Sequence, residues 1–169
     1  VHFSYNSGPE VLHGLDIVLA DGNPYIRRLI RGMLMTLGAR SVIEAEHGIA
    51  ALEVICARNP AAVLLDADLP LYNGLEVVRA VRKPNVFPCP HVPIIMMSNG
   101  ASQSEVQKAM RAGVHEFLLK PISAKALQDR LATILTVPRA MTRKGDYYGP
   151  APRPQINSPQ IDAPQSGRA

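Results

Sequence analysis

Five short aliphatic runs punctuate the chain, and between them the apolar positions change period. The runs are LDIVLA (15–20), SVIEA (41–45), AAVLL (61–65), VPIIMM (92–97) and HEFLL (115–119). LDIVLA is apolar nearly throughout and SVIEA is shorter and more polar; continuous apolar runs of this length suit strands covered on both faces of a parallel sheet. In the intervals the period becomes helical. Ile26, Leu29, Ile30, Met33, Leu34 and Leu37 predict a first helix stopped by Gly38. Ile49, Leu52 and Ile55–Cys56 predict a second. Leu75, Val78 and Val81 predict a third, broken by Pro84, and Val106, Ala109 and Met110 a fourth, closed by Gly113. Leu127, Leu131, Ile134 and Leu135 predict a fifth, with Ser123 as its N-cap. No internal repeat is visible.

Strict alternation of strand and helix predicts an α/β fold, a parallel sheet with helices on both faces and right-handed crossovers. The segment KPNVFPCPH (83–91) is too rich in proline for regular structure and reads as a surface loop. Residues 136–169 hold six prolines and no helical or alternating pattern, which predicts an extended, mostly disordered tail. Within it, GDYYGP (145–150) stands out: two adjacent tyrosines suit docking on a surface or anchoring a partner. The chain thus divides into an N-terminal extension (1–13), a body (14–135) and a Pro-rich basic tail (136–169).

Composition sharpens this picture in three places. Hydrophobic residues are 47% of 169, enough for one core, and with aromatics at 5% and no Trp that core must be aliphatic. No apolar run approaches the ~20 residues that span a bilayer. The start, VHFSYNSGPEV, lacks the basic and apolar regions of a secretory signal, so a cytoplasmic location is expected, with no membrane partner. Most of the net charge of +4 belongs to the tail, where Arg139, Arg143, Lys144, Arg153 and Arg168 outnumber Asp146 and Asp162. The body is therefore nearly neutral, and direct DNA binding is not expected. Cys56 and Cys89 show no C-x-x-C spacing and read as free thiols, Cys56 on a helix packed into the core.

Four of the five strands end in a polar group: Asp21, Asp66, Ser98 and Lys120. Ligands of open α/β sheets bind outside those ends, where strand order reverses. Two carboxylates meeting there repel, so one stays protonated or a cation lies between them. Mg²⁺ suits such a place, needing only one or two carboxylates plus water and phosphate. With a hydroxyl and an ammonium added, the set suits a phosphoryl group. The plainer reading of Asp66 is a turn cap at a strand end. For Asp68, an Asx-turn before Pro70 and a metal role stand side by side. Arg27, Arg28 and Arg31 form a basic helix face, read as solvated or as a site for a phosphate-bearing partner or nucleotide. His47 and His115 read as surface or packed residues rather than ligands.

Over residues 14–135 the chain resembles the receiver domains of bacterial two-component response regulators. The resemblance rests on LADGNPYIRRLI, LLDADLPLYNGLEV, PIIMMSN and AGVHEFLLKPI, in that order and spacing. It implies a flavodoxin-like, doubly wound five-stranded parallel sheet of order 2-1-3-4-5, for which a receiver of this family is a standard example. It also implies a stand-alone phosphoacceptor signalling protein rather than an enzyme. Asp66 would be the phosphoacceptor, Lys120 the lysine pairing with the acyl phosphate, and Ser98 the hydroxyl that bonds the phosphoryl group. Phe117 would be the aromatic whose rotamer follows Ser98, and the Lys120–Pro121 bond would be cis. Asp21, Asp66 and Asp68 would hold Mg²⁺, Asp68 through its carbonyl. The implied partners are a histidine kinase or phosphotransfer protein and an output protein, with the chain a monomer or weak homodimer.

Two departures matter. Gly22 stands where the family has a second acid that contacts Mg²⁺, which implies weakened metal binding. Asn99 stands where a small residue is usual, next to the phosphoryl entrance. They motivate an alternative, a phosphorylation-independent interaction module. A further alternative is a phosphatase of the haloacid dehalogenase type, mimicked by Asp66-x-Asp68, Ser98 and Lys120. That family needs an acidic pair after the lysine, where the body offers only Asp129, and it leaves Asp21 unexplained.

Overall fold

The computed structural model describes residues 9–153. Five strands, β1 (Asp16–Ala20), β2 (Ser41–Ala45), β3 (Ala62–Asp66), β4 (Ile94–Ser98) and β5 (Glu116–Leu119), form one sheet of order β2-β1-β3-β4-β5. All four pairings are parallel. Five helices alternate with them: α1 (Pro24–Thr36), α2 (Gly48–Arg58), α3 (Gly74–Val81), α4 (Gln103–Ala112) and α5 (Ala124–Thr136).

Alternation along each strand divides the core into two layers. Val18, Ala20, Val63, Leu65, Ile94 and Met96 pack in the layer containing Ala51 and Ile55 of α2, Val77 and Val81 of α3, and Ala109 of α4. Ile17, Leu19, Leu64, Ile95 and Met97 pack in the layer of Ile30 and Leu34 of α1 with Leu127, Leu131 and Ile134 of α5. Both layers are aliphatic, as the composition requires. The strand order reverses between β1 and β3, which opens the crevice at their carboxyl ends.

The helix starts are chemically marked. Asn23 caps α1 with Pro24 in the first turn, Asn73–Glu76 and Ser102–Glu105 form capping boxes on α3 and α4, and Ser123 caps α5 as expected. Cys56 lies on α2, which packs into the core through Gly48, Ala51 and Ile55 and leaves the thiol exposed. One sequence expectation needs correcting here. The 83–91 loop is not wholly superficial, since Cys89 and Pro90 are buried at its end.

The larger correction concerns the tail. Met141–Lys144 (β6) and Tyr147–Pro150 (β7) pair as an antiparallel hairpin around Gly145 and Asp146. Its docking depends on two glycines. A Cβ on Gly149 would lie 2.8 Å from the Gly113 Cα, and one on Gly113 would lie 2.8 Å from the Tyr148 carbonyl oxygen. Gly113 also caps α4 at φ 107, a conformation other residues resist. At the other end, Leu12 of the 3-10 turn Pro9–Leu12 is buried beside α5, so the packed body begins before residue 14. The expectations for residues 1–8 and 154–169 lie outside the described residues.

Arg82 and His115 lie beneath the hairpin. The buried Arg82 guanidinium donates to the carbonyls of Gly113 (2.9 Å) and Pro90 (2.6 Å) and lies 3.3 Å from His115 Nδ1. The Ile94 N–H also points at Nδ1, at 3.3 Å. Two donors converging on Nδ1 make it an acceptor and assign the ring proton to Nε2. Burial, with Arg82 and Arg139 beside it, pushes the imidazole down to about 3, so it stays neutral at physiological pH.

Candidate functional site

Asp21 follows β1, Asp66 ends β3, Ser98 ends β4 and Lys120 follows β5, so all four stand at the carboxyl edge of the sheet. The structure brings three of them into direct contact. Lys120 Nζ donates to Asp21 Oδ2 at 2.5 Å and lies 3.2 Å from Asp66 Oδ1. All three side chains are almost fully buried. Asp21 is held from two further directions. Its Oδ1 accepts from the Asn23 N–H (2.8 Å), and its backbone carbonyl accepts from Arg27 Nη1 (2.7 Å).

Asp66 is less well satisfied. Its Oδ1 is buried and lies near the ammonium without an aligned hydrogen bond. Burial pushes its pKa up and the Asp21 charge adds to that; Lys120 and the Asp68 N–H oppose it without winning. A group whose folded pKa is raised favours folding most below its unfolded value, and loses that contribution as pH rises through the folded value. At neutral pH the Asp66 carboxylate is thus a cost to the fold. Asp66→Asn is expected to raise stability at pH 7 by roughly 0.5–2 kcal/mol in urea melts.

Ser98 Oγ is turned toward its own loop, donating to Gly100 O (2.9 Å) with the Gly100 N–H 3.3 Å away. It lines a cavity of about 240 Å³ together with Ala67, Asp68, Met96, Ala109 and Phe117. Phe117 on β5 is half-buried and forms part of that wall. Asn99 is exposed and is not among the residues lining this cavity. The Lys120–Pro121 bond is cis.

A divalent cation fits this donor set, thinly. Two carboxylates face one another, and one buried oxygen lacks an aligned donor. Asp68 is exposed, and no group of three His, Cys, Asp or Glu side chains is placed to hold a metal among the described residues. The fit is therefore that of a Mg²⁺ ion that keeps several waters. A Cβ on Gly22 would lie 3.2 Å from Pro70 Cδ and 3.7 Å from the Glu46 carbonyl, so a carboxylate there needs only a small shift of a proline ring.

Of the basic face of α1, Arg27 and Arg31 are engaged within the molecule. Arg31 donates to the Val42 carbonyl at 3.0 Å, and both lie within 4 Å of Glu44. The role of Arg27 behind Asp21 was missed from sequence. Asn23 before Pro24 was the available signal, since it sets where α1 begins and so which arginine faces the crevice.

A family model, the response regulator receiver domain, matches residues 17–132. The chain belongs to the response regulator receiver family. The receiver is 35% identical over 122 residues to chemotaxis protein CheY1 of Helicobacter pylori, covering 72% of this chain and 97% of that one. It is 33% identical to the CheY homologue of Campylobacter jejuni, over 72% and 92% of the two chains. Among solved structures, the receiver domain of a Pseudomonas aeruginosa sensor histidine kinase superposes with a TM-score of 0.66 at 30% identity, over 73% of this receiver and 98% of that chain. That crystal structure has a magnesium ion coordinated in its active site cleft. The match stops short of the hairpin at 141–150. No helix among the described residues is long and apolar enough to cross a membrane.

Proposed function

We propose that this receiver accepts a phosphoryl group on Asp66 from the phosphohistidine of a histidine kinase or phosphotransfer protein, and signals by protein–protein contact. The observation that carries the reading is the buried Asp66 carboxylate, with one oxygen lacking an aligned donor, 3.2 Å from the Lys120 ammonium. An Asp66 oxygen attacks phosphorus in line, the P–N bond to imidazole breaks, and the imidazole leaves with its electron pair and takes up a proton. Lys120 offsets charge on the phosphoryl oxygens while remaining tied to Asp21. Asp21, Asp66 and the Asp68 carbonyl would hold Mg²⁺, which supplies further charge neutralisation. Ser98 Oγ then exchanges Gly100 for a phosphoryl oxygen, and Phe117 turns into the 240 Å³ cavity that both residues line. A partner that binds one arrangement better reads the state.

Incubation with a small phosphodonor and Mg²⁺, followed by intact mass, tests this. The wild type is expected to gain one phosphoryl group and Asp66→Asn none; no adduct at any metal concentration contradicts it. Gly22→Asp is expected to tighten Mg²⁺ about tenfold in a fluorescence or calorimetric titration, since it adds a charged oxygen ligand to a sparse set. An unchanged affinity would place the metal elsewhere.

The second reading, an interaction module indifferent to phosphorylation, is favoured by one observation: Gly22 follows Asp21 and leaves it as the one acid at the end of β1. It predicts unchanged partner affinity in Asp66→Ala with and without phosphodonor.

A further inference from the structure

The hairpin belongs to a longer strap, residues 139–153, laid across α4 and the start of β5. Its anchors converge on two consecutive residues, His115 just before β5 and Glu116 at its first position. Arg139 donates through Nη2 to the His115 carbonyl and through Nη1 to the Ala151 carbonyl at 3.1 Å. Arg153 pairs with the buried carboxylate of Glu116, which also holds Arg130 of α5 at 3.2 Å. The residue that follows, Phe117, is the aromatic beside Ser98.

Phe117 also stands between two cavities. One is the 240 Å³ space shared with Ser98. The other, about 600 Å³, lies under the strap, where Phe117, Val106, Met110 and Val114 face Tyr147, Pro150 and Pro152. A ring that turns into the first leaves the second, removing apolar wall from beneath the strap just where its anchors sit. Tertiary packing holds such a hairpin in place, since two strands alone are marginal in water.

We propose that the strap is the chain's own first reader of the phosphoryl state: an Asp66 phosphoryl group draws Phe117 toward Ser98 and loosens residues 139–153 from the α4–β5 face. The inference rests on the phosphoacceptor reading of Asp66. Through it the α4–β5 face is covered by this chain's own segment before phosphorylation and opened afterwards, so a partner of that face meets the strap as a competitor.

Hydrogen exchange by mass spectrometry on the full chain tests it, with Mg²⁺, with and without a small phosphodonor, and with adduct stoichiometry measured in the same samples. Peptides spanning 139–153 are expected to exchange roughly three- to tenfold faster in the phosphorylated wild type, while β1 and β3 amides stay unchanged. Asp66→Asn is expected to show no change with phosphodonor. Phe117→Ala is expected to exchange fast in the strap already without phosphodonor, and to gain little on phosphorylation. A stoichiometric adduct with unchanged strap exchange overturns the proposal alone. A Phe117→Ala chain that responds like wild type overturns the route through Phe117. A missing adduct defeats the phosphoacceptor reading and this inference with it.

Discussion

Lys120→Met is expected to lose about 3–5 kcal/mol of stability at pH 7, because it strands two buried carboxylates with no cation between them. For a domain of this size that is roughly 10 °C or more in Tm. The cause makes the loss conditional in three ways. Asp66→Asn in the same chain should recover more than half of it, since one stranded charge is removed. Mg²⁺ should recover part, since it replaces the lost cation. Acid should shrink the difference from wild type, since Asp66 already has a raised pKa and takes a proton early. Urea titrations of the two single variants and the double variant at pH 7, with and without Mg²⁺, measure all three. A loss of the same size in the Asp66→Asn background would mean that Lys120 contributes packing rather than charge. If Asp66 is the phosphoacceptor as proposed, the same substitution should also abolish detectable phosphotransfer to it.

The second large effect belongs to His115, far from that chemistry. Its imidazole is held near 3 in the folded state against an ordinary 6.5. The sign follows from which state binds the proton. The unfolded chain takes it up below about 6.5 and the folded chain resists until about 3, so stability is full above the unfolded value and drains away as pH falls. This one residue should remove about 2 kcal/mol between pH 8 and pH 5, and about 4 kcal/mol by pH 3. His115→Asn keeps an acceptor where Nδ1 receives the Ile94 N–H and faces Arg82, and it has no proton to take up. Its stability should therefore depend less on pH by that amount over the same range. If wild type and variant decline in parallel from pH 8 to pH 5, the histidine is not neutral in the fold.

These two cases mark where sequence was sufficient and where it was not. The crevice was legible because each strand is a short apolar run that stops at one polar residue. Asp21, Asp66, Ser98 and Lys120 thus announce the same edge without any tertiary information. The Ser123 cap of α5 was legible for the same local reason. Packing partners far apart in sequence were not legible. His115 looked like a lone histidine because its neighbour Arg82 is thirty-three positions earlier, at the end of α3 and just before a loop whose prolines suggested exposure.

The strap was obscured by its composition. Six prolines across residues 136–169 outweighed a strand pattern only four residues long on each side of Gly145–Asp146. Only the pair of tyrosines signalled docking, and what they dock on became visible with Gly113 and Gly149 in contact. Backbone packed against backbone leaves no apolar periodicity to read.

The most direct test of the phosphoacceptor assignment is chemical trapping at the residue itself. After exposure to a phosphodonor and Mg²⁺, borohydride reduction converts an aspartyl phosphate to homoserine, and peptide sequencing by mass spectrometry locates it. Homoserine at position 66 in the wild type, lost when phosphodonor is omitted, is the expected result. Homoserine at Asp21 or Asp68 instead, or at no aspartate despite a phosphoryl adduct on the intact chain, would contradict it.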